Sequence, residues 1–376
     1  MSEPPPRIFA SRVIVIMPNW LGDGVMATAF LRGLRYLYPA AHIAAAARPL
    51  VAPVCEGLVD EVKAYKKGEE GAITRWMKAE RFDLGILLPN SFRSAWMLWR
   101  GGVKRRLGYA RGGRSWLLTD RVVAARRTPG QLAVDVQRAR AIQKLGGGSV
   151  HVGSNFQPIP TIHYYRELLI PLGSEVEDGG IGMTVAVSYR DRAEAKDALS
   201  QLSTENYLVI VPGANFGSSK CWAPERFAAL AEKLADPAGR FGTHVLLVGS
   251  PAETPICKAI IGAMQRHRDR VLLLGSVNNG AGVSIGALKE IVRRARMMIC
   301  NDTGPRHIAA AFGVPLVTLF GPTDPVWAET FVGKERIVRI DVPCGPCQLK
   351  TCPIDHRCMK GITVEMVMAA VEELWK

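Results

Sequence analysis

The sequence predicts an α/β protein of two domains, each built on a parallel sheet, and three observations carry that prediction. Its 376 residues favour two domains at roughly 100–200 residues each. Apolar residues make up 48% and charged residues 22%, enough to fill two cores and too apolar for a disordered chain. Short β-branched runs alternate with helical stretches from end to end, the pattern of repeated βαβ units.

In order, the first strand is predicted at Val13–Met17, an unbroken apolar run that leads into a glycine turn. The helical pattern Ala27–Leu37 follows, then strands at His42–Ala46, Leu84–Leu88, Arg106–Tyr109 and Val122–Ala124. Leu172–Thr184, rich in Gly and acidic residues, predicts an interdomain linker. The second half repeats the alternation, with strands at Tyr207–Val211, His244–Val248, Val271–Leu274, Met297–Cys300 and Leu316–Phe320. Its helices are expected at Pro224–Leu234 and Ser284–Arg294, and a last one at Thr363–Trp375. Domains are therefore expected at 1–180 and 181–360, followed by a terminal helix over 361–376. The longest apolar runs fall far short of the roughly 18 residues of a spanning helix. Met1–Pro18 lacks the basic and apolar regions of an export leader, so a soluble cytoplasmic protein is expected.

Basic residues exceed acidic ones by 14, unevenly: residues 1–185 hold 25 of the 48 basic side chains and 15 of the 34 acidic ones. Arg93–Arg127 alone holds ten basic residues and one acidic one, Asp120. Such a density attracts anionic partners. Nucleic acid, an anionic membrane surface and a phosphorylated substrate all fit on charge alone, as does a solvated face of scattered Arg.

Two turns bear on chemistry. After the first strand, Gly22, Gly24 and Ala27 fit G-x-G-x-x-A, the dinucleotide fingerprint variant. The acidic residue that such a site needs about 20 positions on is missing, since the second strand runs into Ala45-Ala46-Ala47-Arg48. Asp23 stands in the glycine turn where it would repel a pyrophosphate, which points to a catalytic or acceptor role; an N-cap is the structural alternative. In the second half, Pro212–Lys220 offers small residues and a cation to an anion. Asp302-Thr303-Gly304-Pro305 opens a helix whose N-terminus suits an anion, and Gly321-Pro322-Thr323 ends the next strand at the same edge. Together they predict a diphosphate site.

Asn19-Trp20-Leu21-Gly22-Asp23, Leu88-Pro89-Asn90-Ser91-Phe92-Arg93-Ser94, Pro212–Lys220 and Asn301-Asp302-Thr303-Gly304 with His307 resemble glycosyltransferase family 9 over about Val13–Glu329. Pro305-Arg306 departs from the family's more usual apolar pair, and the loop Ser276–Val283 is longer. The resemblance implies a GT-B fold: two Rossmann-like domains with parallel sheets facing across a cleft, acceptor in the first and donor in the second. It also implies that the terminal helix packs back toward the first domain. It implies inverting transfer of heptose from ADP-L-glycero-β-D-manno-heptose to the heptosyl-Kdo-lipid A inner core of lipopolysaccharide, at the cytoplasmic face of the inner membrane. Asp23 would be the catalytic base. Gly213, Ser218, Lys220, Glu253, Asp302, Thr303, Gly304 and His307 would bind the donor. Asn19, Asn90, Ser91, Arg93, Arg105 and Arg106 would bind the acceptor. No D-x-D pair occurs in the sequence, so no metal or other cofactor is expected in catalysis. No nucleic acid is expected as partner, because Tyr109 and Trp116 make a sparse stacking platform in the basic segment. The rivals are a family 9 enzyme with another sugar nucleotide or acceptor, an NADP-dependent oxidoreductase built on Gly22-x-Gly24, and a nucleic-acid binder using Arg93–Arg127.

Cys344, Cys347, Cys352 and Cys358 fall within fifteen residues, with His356 among them. Structural zinc fits their ligand type, although the x₄ gap is shorter than in common zinc sites. Reduced unpaired thiols fit a cytoplasmic chain equally well.

Overall fold

The computed structural model describes residues 8–153, 155–174, 182–202, 204–274 and 282–375. Most of the expected linker and of the loop Ser276–Val283 lies outside these residues. The chain forms two compact units: Met1–Arg126 with Phe156–Ala186 and Val326–Thr330, and Arg127–Asn155 with Val187–Pro325 and Phe331–Lys376.

The first unit is a six-stranded parallel sheet in the order β3-β2-β1-β4-β5-β6. Its strands are β1 (Arg12–Ile16), β2 (His42–Ala47), β3 (Glu61–Ala64), β4 (Leu84–Leu87), β5 (Arg105–Tyr109) and β6 (Asp120–Val122). The second unit repeats the topology as β12-β11-β10-β7-β8-β9. These strands are β7 (Tyr207–Val211), β8 (His244–Leu247), β9 (Val271–Leu273), β10 (Met298–Asn301), β11 (Leu316–Phe320) and β12 (Glu335–Arg339). The central strands are unbroken apolar runs because helices cover both faces of a parallel sheet; β7, β10 and β11 are buried at every residue. The edge strands β3 and β12 read Glu-Val-Lys-Ala and Glu-Arg-Ile-Val-Arg. Half-exposed and charged, they carry no apolar run, and pattern alone does not find them.

In each unit the strand order reverses beside the first strand, between β1 and β4 and between β7 and β10. Ligands in doubly wound sheets bind at the carboxyl ends of the strands at this switch point. Each unit has its own core, one around Ile14, Ile16, Phe82 and Leu98, the other around Leu208, Phe227, Ile299 and Trp222. The Trp222 indole N–H, buried in the second core, donates to the Ile362 carbonyl at 2.9 Å.

Two expectations about domain extent change. Arg127–Asn155, expected in the first domain, joins the second unit because Ile142 and Val152 pack with Cys344, Val342 and Ile354. The terminal helix Val364–Leu374, expected to reach toward the first domain, places Val367, Ala370 and Val371 in the second unit's own core.

Candidate active site

In the first unit, β1 runs through Pro18 and Asn19 into a short helix, Leu21–Met26, with half-buried Asp23 in its first turn. Trp20 occupies the N-cap position, so Asp23 is not the cap. A Cβ on Gly24 would stand 2.6 Å from Val51 Cγ1, so this glycine serves close packing of the turn on the segment after β2. The buried Tyr165 hydroxyl is pushed up, first by burial and then by the Asp23 carboxylate.

Around this turn lies a polar network. Arg48, at the end of β2, donates to Asn19 Oδ1 at 3.3 Å, pairs with Glu70 at 3.1 Å and lies 4.3 Å over the Tyr65 ring. Exposed Arg93 reaches the same Glu70 at 3.5 Å. Burial alone would raise the Glu70 carboxyl, but backbone N–H groups and Arg48 outweigh it and hold it low. Arg48 and Glu70 were not among the expected site residues; Arg48 at a strand's carboxyl end was the one visible signal.

The segment after β4 folds around Arg114, a fully buried cation. Its guanidinium donates to the carbonyls of Pro89, Ser91 and Tyr109, to Ser94 Oγ and to Asn90 Oδ1. Burial lowers it to about 10, so it stays charged at neutral pH. Asn90 Oδ1 also accepts from the Tyr164 hydroxyl at 3.1 Å, and Ser91 Oγ caps the helix Phe92–Arg100 by accepting from Ser94 N–H at 3.2 Å. Asn90 and Ser91, expected as acceptor ligands, have side chains that shape the loop, and Arg93 is exposed.

Arg105 and Arg106, also expected at the acceptor, lie elsewhere. Arg105 pairs with Leu84 at the start of β4. At about 3.3 Å per residue, that is about 13 Å from the carboxyl edge that bears Asp23. Arg105 is forked onto Asp120, and Arg106 donates to the Leu117 and Val103 carbonyls. Both cations hold the β5–β6 corner.

In the second unit, Gly213 follows β7, and the chain leads through Ser218 to Lys220. The Lys220 ammonium bonds the buried Asp302 carboxylate, which also accepts from Thr323 Oγ1 at 2.8 Å, and stands 4.8 Å from the Phe216 ring centre. Burial would raise Asp302, yet Lys220, Arg306 and these hydrogen bonds outweigh it and keep it ionised. Asn301 ties the two loops together, donating to the Pro212 carbonyl at 2.6 Å and accepting from Trp222 N–H at 3.3 Å. Thr303 caps the nine-residue helix Gly304–Phe312 in extended conformation with no side-chain cap bond, so its hydroxyl and the first N–H groups sit at the strand's carboxyl edge. Glu253 closes a capping box on Ser250, and a Cβ on Gly213 would meet its carboxylate at 2.0 Å, so a side chain there would displace it. The structure thus brings together Gly213, Lys220, Glu253, Asp302, Thr303, Gly304 and His307. Ser218, exposed, begins the turn that carries Lys220.

His307 is buried in the first turns of this helix, and its Nδ1 has no hydrogen-bond partner among the described residues. Burial, then the Arg306 charge, pushes the imidazole from 6.5 down to about 3. It is neutral at pH 7, able to hydrogen-bond an anion but not to pair with it. The unfolded chain binds a proton between these two values that the folded chain refuses. Stability should therefore be complete above about 6.5 and fall with pH through that window, by up to about 1.4 kcal/mol per unit. His307→Gln should flatten this part of the curve in denaturation midpoints measured from about pH 7 to 4.5. An unchanged slope would show that His307 is not held neutral.

The cysteine-rich segment braces this half-site. Ser219 Oγ donates to the Leu349 carbonyl at 2.6 Å, Ser219 N–H to that of Lys350, and His356 Nε2 lies 2.6 Å from the Ser219 carbonyl. Burial pushes the thiols of Cys344 and Cys347 up, and that of Cys358 to about 11. Among the described residues no group of three or more His, Cys, Asp or Glu is arranged to hold a metal ion. The zinc expectation rests on spacing alone.

The family model described as glycosyltransferase family 9 (heptosyltransferase) matches residues 71–357. Lipopolysaccharide heptosyltransferase 2 of Escherichia coli K12 is 29% identical over 344 residues, 88% of each chain. Lipooligosaccharide heptosyltransferase 2 of Haemophilus influenzae is 27% identical over 336 residues, 87% of this chain and 88% of the other. The solved structure of E. coli ADP-heptose lps heptosyltransferase II superposes with a TM-score of 0.74 at 24% identity, covering 97% of this chain and 98% of the other. That likeness makes the fold GT-B.

Proposed function

Because the chain belongs to glycosyltransferase family 9, the heptosyltransferases, we propose that it transfers heptose from ADP-L-glycero-β-D-manno-heptose, with inversion, to the heptosyl-Kdo-lipid A inner core of lipopolysaccharide. One observation carries this reading. The two sheets present complementary chemistry at matching switch points, a half-buried carboxylate after β1 and a cation with a helix N-terminus after β7 and β10.

The acceptor hydroxyl oxygen forms a bond to the anomeric carbon as the bond from that carbon to the diphosphate oxygen breaks, and ADP leaves with the electron pair. Asp23 takes the hydroxyl proton. A carboxylate is a weak base for a resting alcohol, but the hydroxyl becomes acidic as its new bond forms, so late transfer suffices. Lys220, Thr303 and the first N–H groups of the Gly304 helix stabilise the charge that builds on the diphosphate, with His307 as a neutral hydrogen-bonding partner. Asp302 and Thr323 hold Lys220 in place, and Glu253 takes the ribose hydroxyls. No step is routed through a metal, and the acceptor's lipid anchor puts the enzyme at the cytoplasmic face of the inner membrane.

The test is turnover of ADP-heptose against a heptosyl-Kdo-lipid acceptor, with other sugar nucleotides as controls. Faster use of another sugar nucleotide would move the chain elsewhere in the family. Micromolar NADPH binding at Gly22-x-Gly24 would favour the oxidoreductase reading, although Gly24 is already accounted for by packing on Val51. Lys220→Ala should raise KM for the donor and lower kcat by about tenfold to a hundredfold, the worth of one charge-assisted hydrogen bond that strengthens as the diphosphate departs. EDTA should leave the rate unchanged; loss of activity restored by magnesium would contradict the mechanism.

A further inference from the structure

The helix Phe92–Arg100 turns an aromatic face outward. Ser94, Ala95, Met97 and Leu98 are buried, whereas Phe92, Trp96 and Trp99 are 43%, 38% and 44% exposed. Those three positions follow i, i+4 and i+7, a single stripe. Their rings form a row, with centroids 6.0 Å apart between Phe92 and Trp96 and 4.8 Å between Trp96 and Trp99. Trp116, 62% exposed, extends the row 6.0 Å beyond Phe92. A contiguous exposed patch of this kind marks an interaction surface.

Its charge says what it fits. Arg93, Arg100 and Lys104 are exposed on or just beyond the same helix, and no acidic residue occurs between Arg93 and Thr119. Indole rings settle at the boundary between hydrocarbon and water, and flanking cations favour anionic headgroups. A second copy docking face to face would set like cations against each other, since such an interface joins identical patches. The stripe also begins at Phe92, directly after the Asn90–Ser91 loop at the carboxyl edge that bears Asp23.

We propose that the Phe92–Trp96–Trp99–Trp116 row is a docking surface for an anionic lipid bilayer, lying in its interface with the first unit's site edge beside the membrane. This rests on the reading of a lipid-linked acceptor, which a bilayer presents. Arg93 and Arg100 meet the headgroups while the rings enter the interfacial layer.

The experiment is co-sedimentation of the full chain with phosphatidylcholine vesicles, with and without about one-third phosphatidylglycerol, in the absence of donor and acceptor. Binding should require the anionic lipid and weaken with salt. Trp96→Ser, Trp99→Ser and Trp116→Ser combined should weaken it at least about tenfold, and Arg100→Gln about fivefold. Circular dichroism and turnover of a delipidated acceptor should stay at the wild-type values. Vesicle binding that is absent, indifferent to lipid charge or unchanged in the triple variant would overturn the proposal. So would a dimer that the triple variant dissolves, which makes a second copy the occupant, or a tenfold higher KM for the delipidated acceptor, which makes the row a sugar platform. Without donor or acceptor present, failure here leaves heptosyl transfer standing, and failure of heptosyl transfer leaves vesicle binding to be judged alone.

Discussion

Asp23→Asn should lose at least about a hundredfold in kcat while still binding the sugar nucleotide, because a positioned general base contributes about 10²–10⁴-fold. The substitution changes one oxygen for an NH₂ and little else in shape. Asp23 is half-buried in the first turn after β1 and is not that helix's cap, so helix stability does not depend on its charge as a cap would. Donor affinity should be unchanged, since the residues assigned to the donor all follow strands of the second sheet. Steady-state kinetics with donor titration at saturating acceptor separates the two effects. Wild-type kcat in the variant would reduce Asp23 to a turn residue, and a parallel loss of donor binding would point to misfolding.

Glu335→Ala should destabilise the second unit by about 3–5 kcal/mol, the cost of leaving a buried charge without its partner. Arg306, fully buried, donates from Nε to Glu335 Oε1 at 2.7 Å and to Thr318 Oγ1 at 3.2 Å. Thr318 in turn donates to Glu335 at 2.7 Å, and the guanidinium lies 5.0 Å over the Phe320 ring. Removing the carboxylate takes the Glu335 partner from the buried Arg306 cation, in the helix that carries His307. Replacing the pair together, Arg306→Met with Glu335→Leu, should recover most of the loss, because apolar residues of similar volume tolerate such a site. Urea denaturation of the three proteins measures this. A single variant within about 1 kcal/mol of wild type would mean that water reaches Arg306.

This pair also explains a departure visible in the sequence. The resemblance to family 9 leads one to expect an apolar pair where Pro305-Arg306 stands. The structure turns the Arg306 side chain inward, where its charge helps to keep Asp302 ionised and His307 neutral. Arg306 therefore acts on the candidate donor site through its neighbours.

The sequence by itself determined the two α/β halves, the central strands, the glycine turn with Asp23, and the helices that start at Ser284 and Thr363, residues the structure shows as their caps. These are local features: a five-residue apolar run or a cap followed by a periodic helix carries its own signal over one or two turns. The tertiary structure alone decided the destination of the charges. Arg114 and Arg93 belong to one basic stretch, yet one is buried as the post around which the Pro89–Ser94 loop folds and the other is exposed. Arg105 and Arg106 lie at the wrong end of β5 because the parallel register sets them beside Leu84. Arg127–Asn155 and the terminal helix joined the second unit because Ile142, Val152 and Val367 found apolar partners there. A cation's burial and partner depend on which distant segment comes to cover it, and the energy of that choice is set across the packed sheets, where no short window of sequence records it.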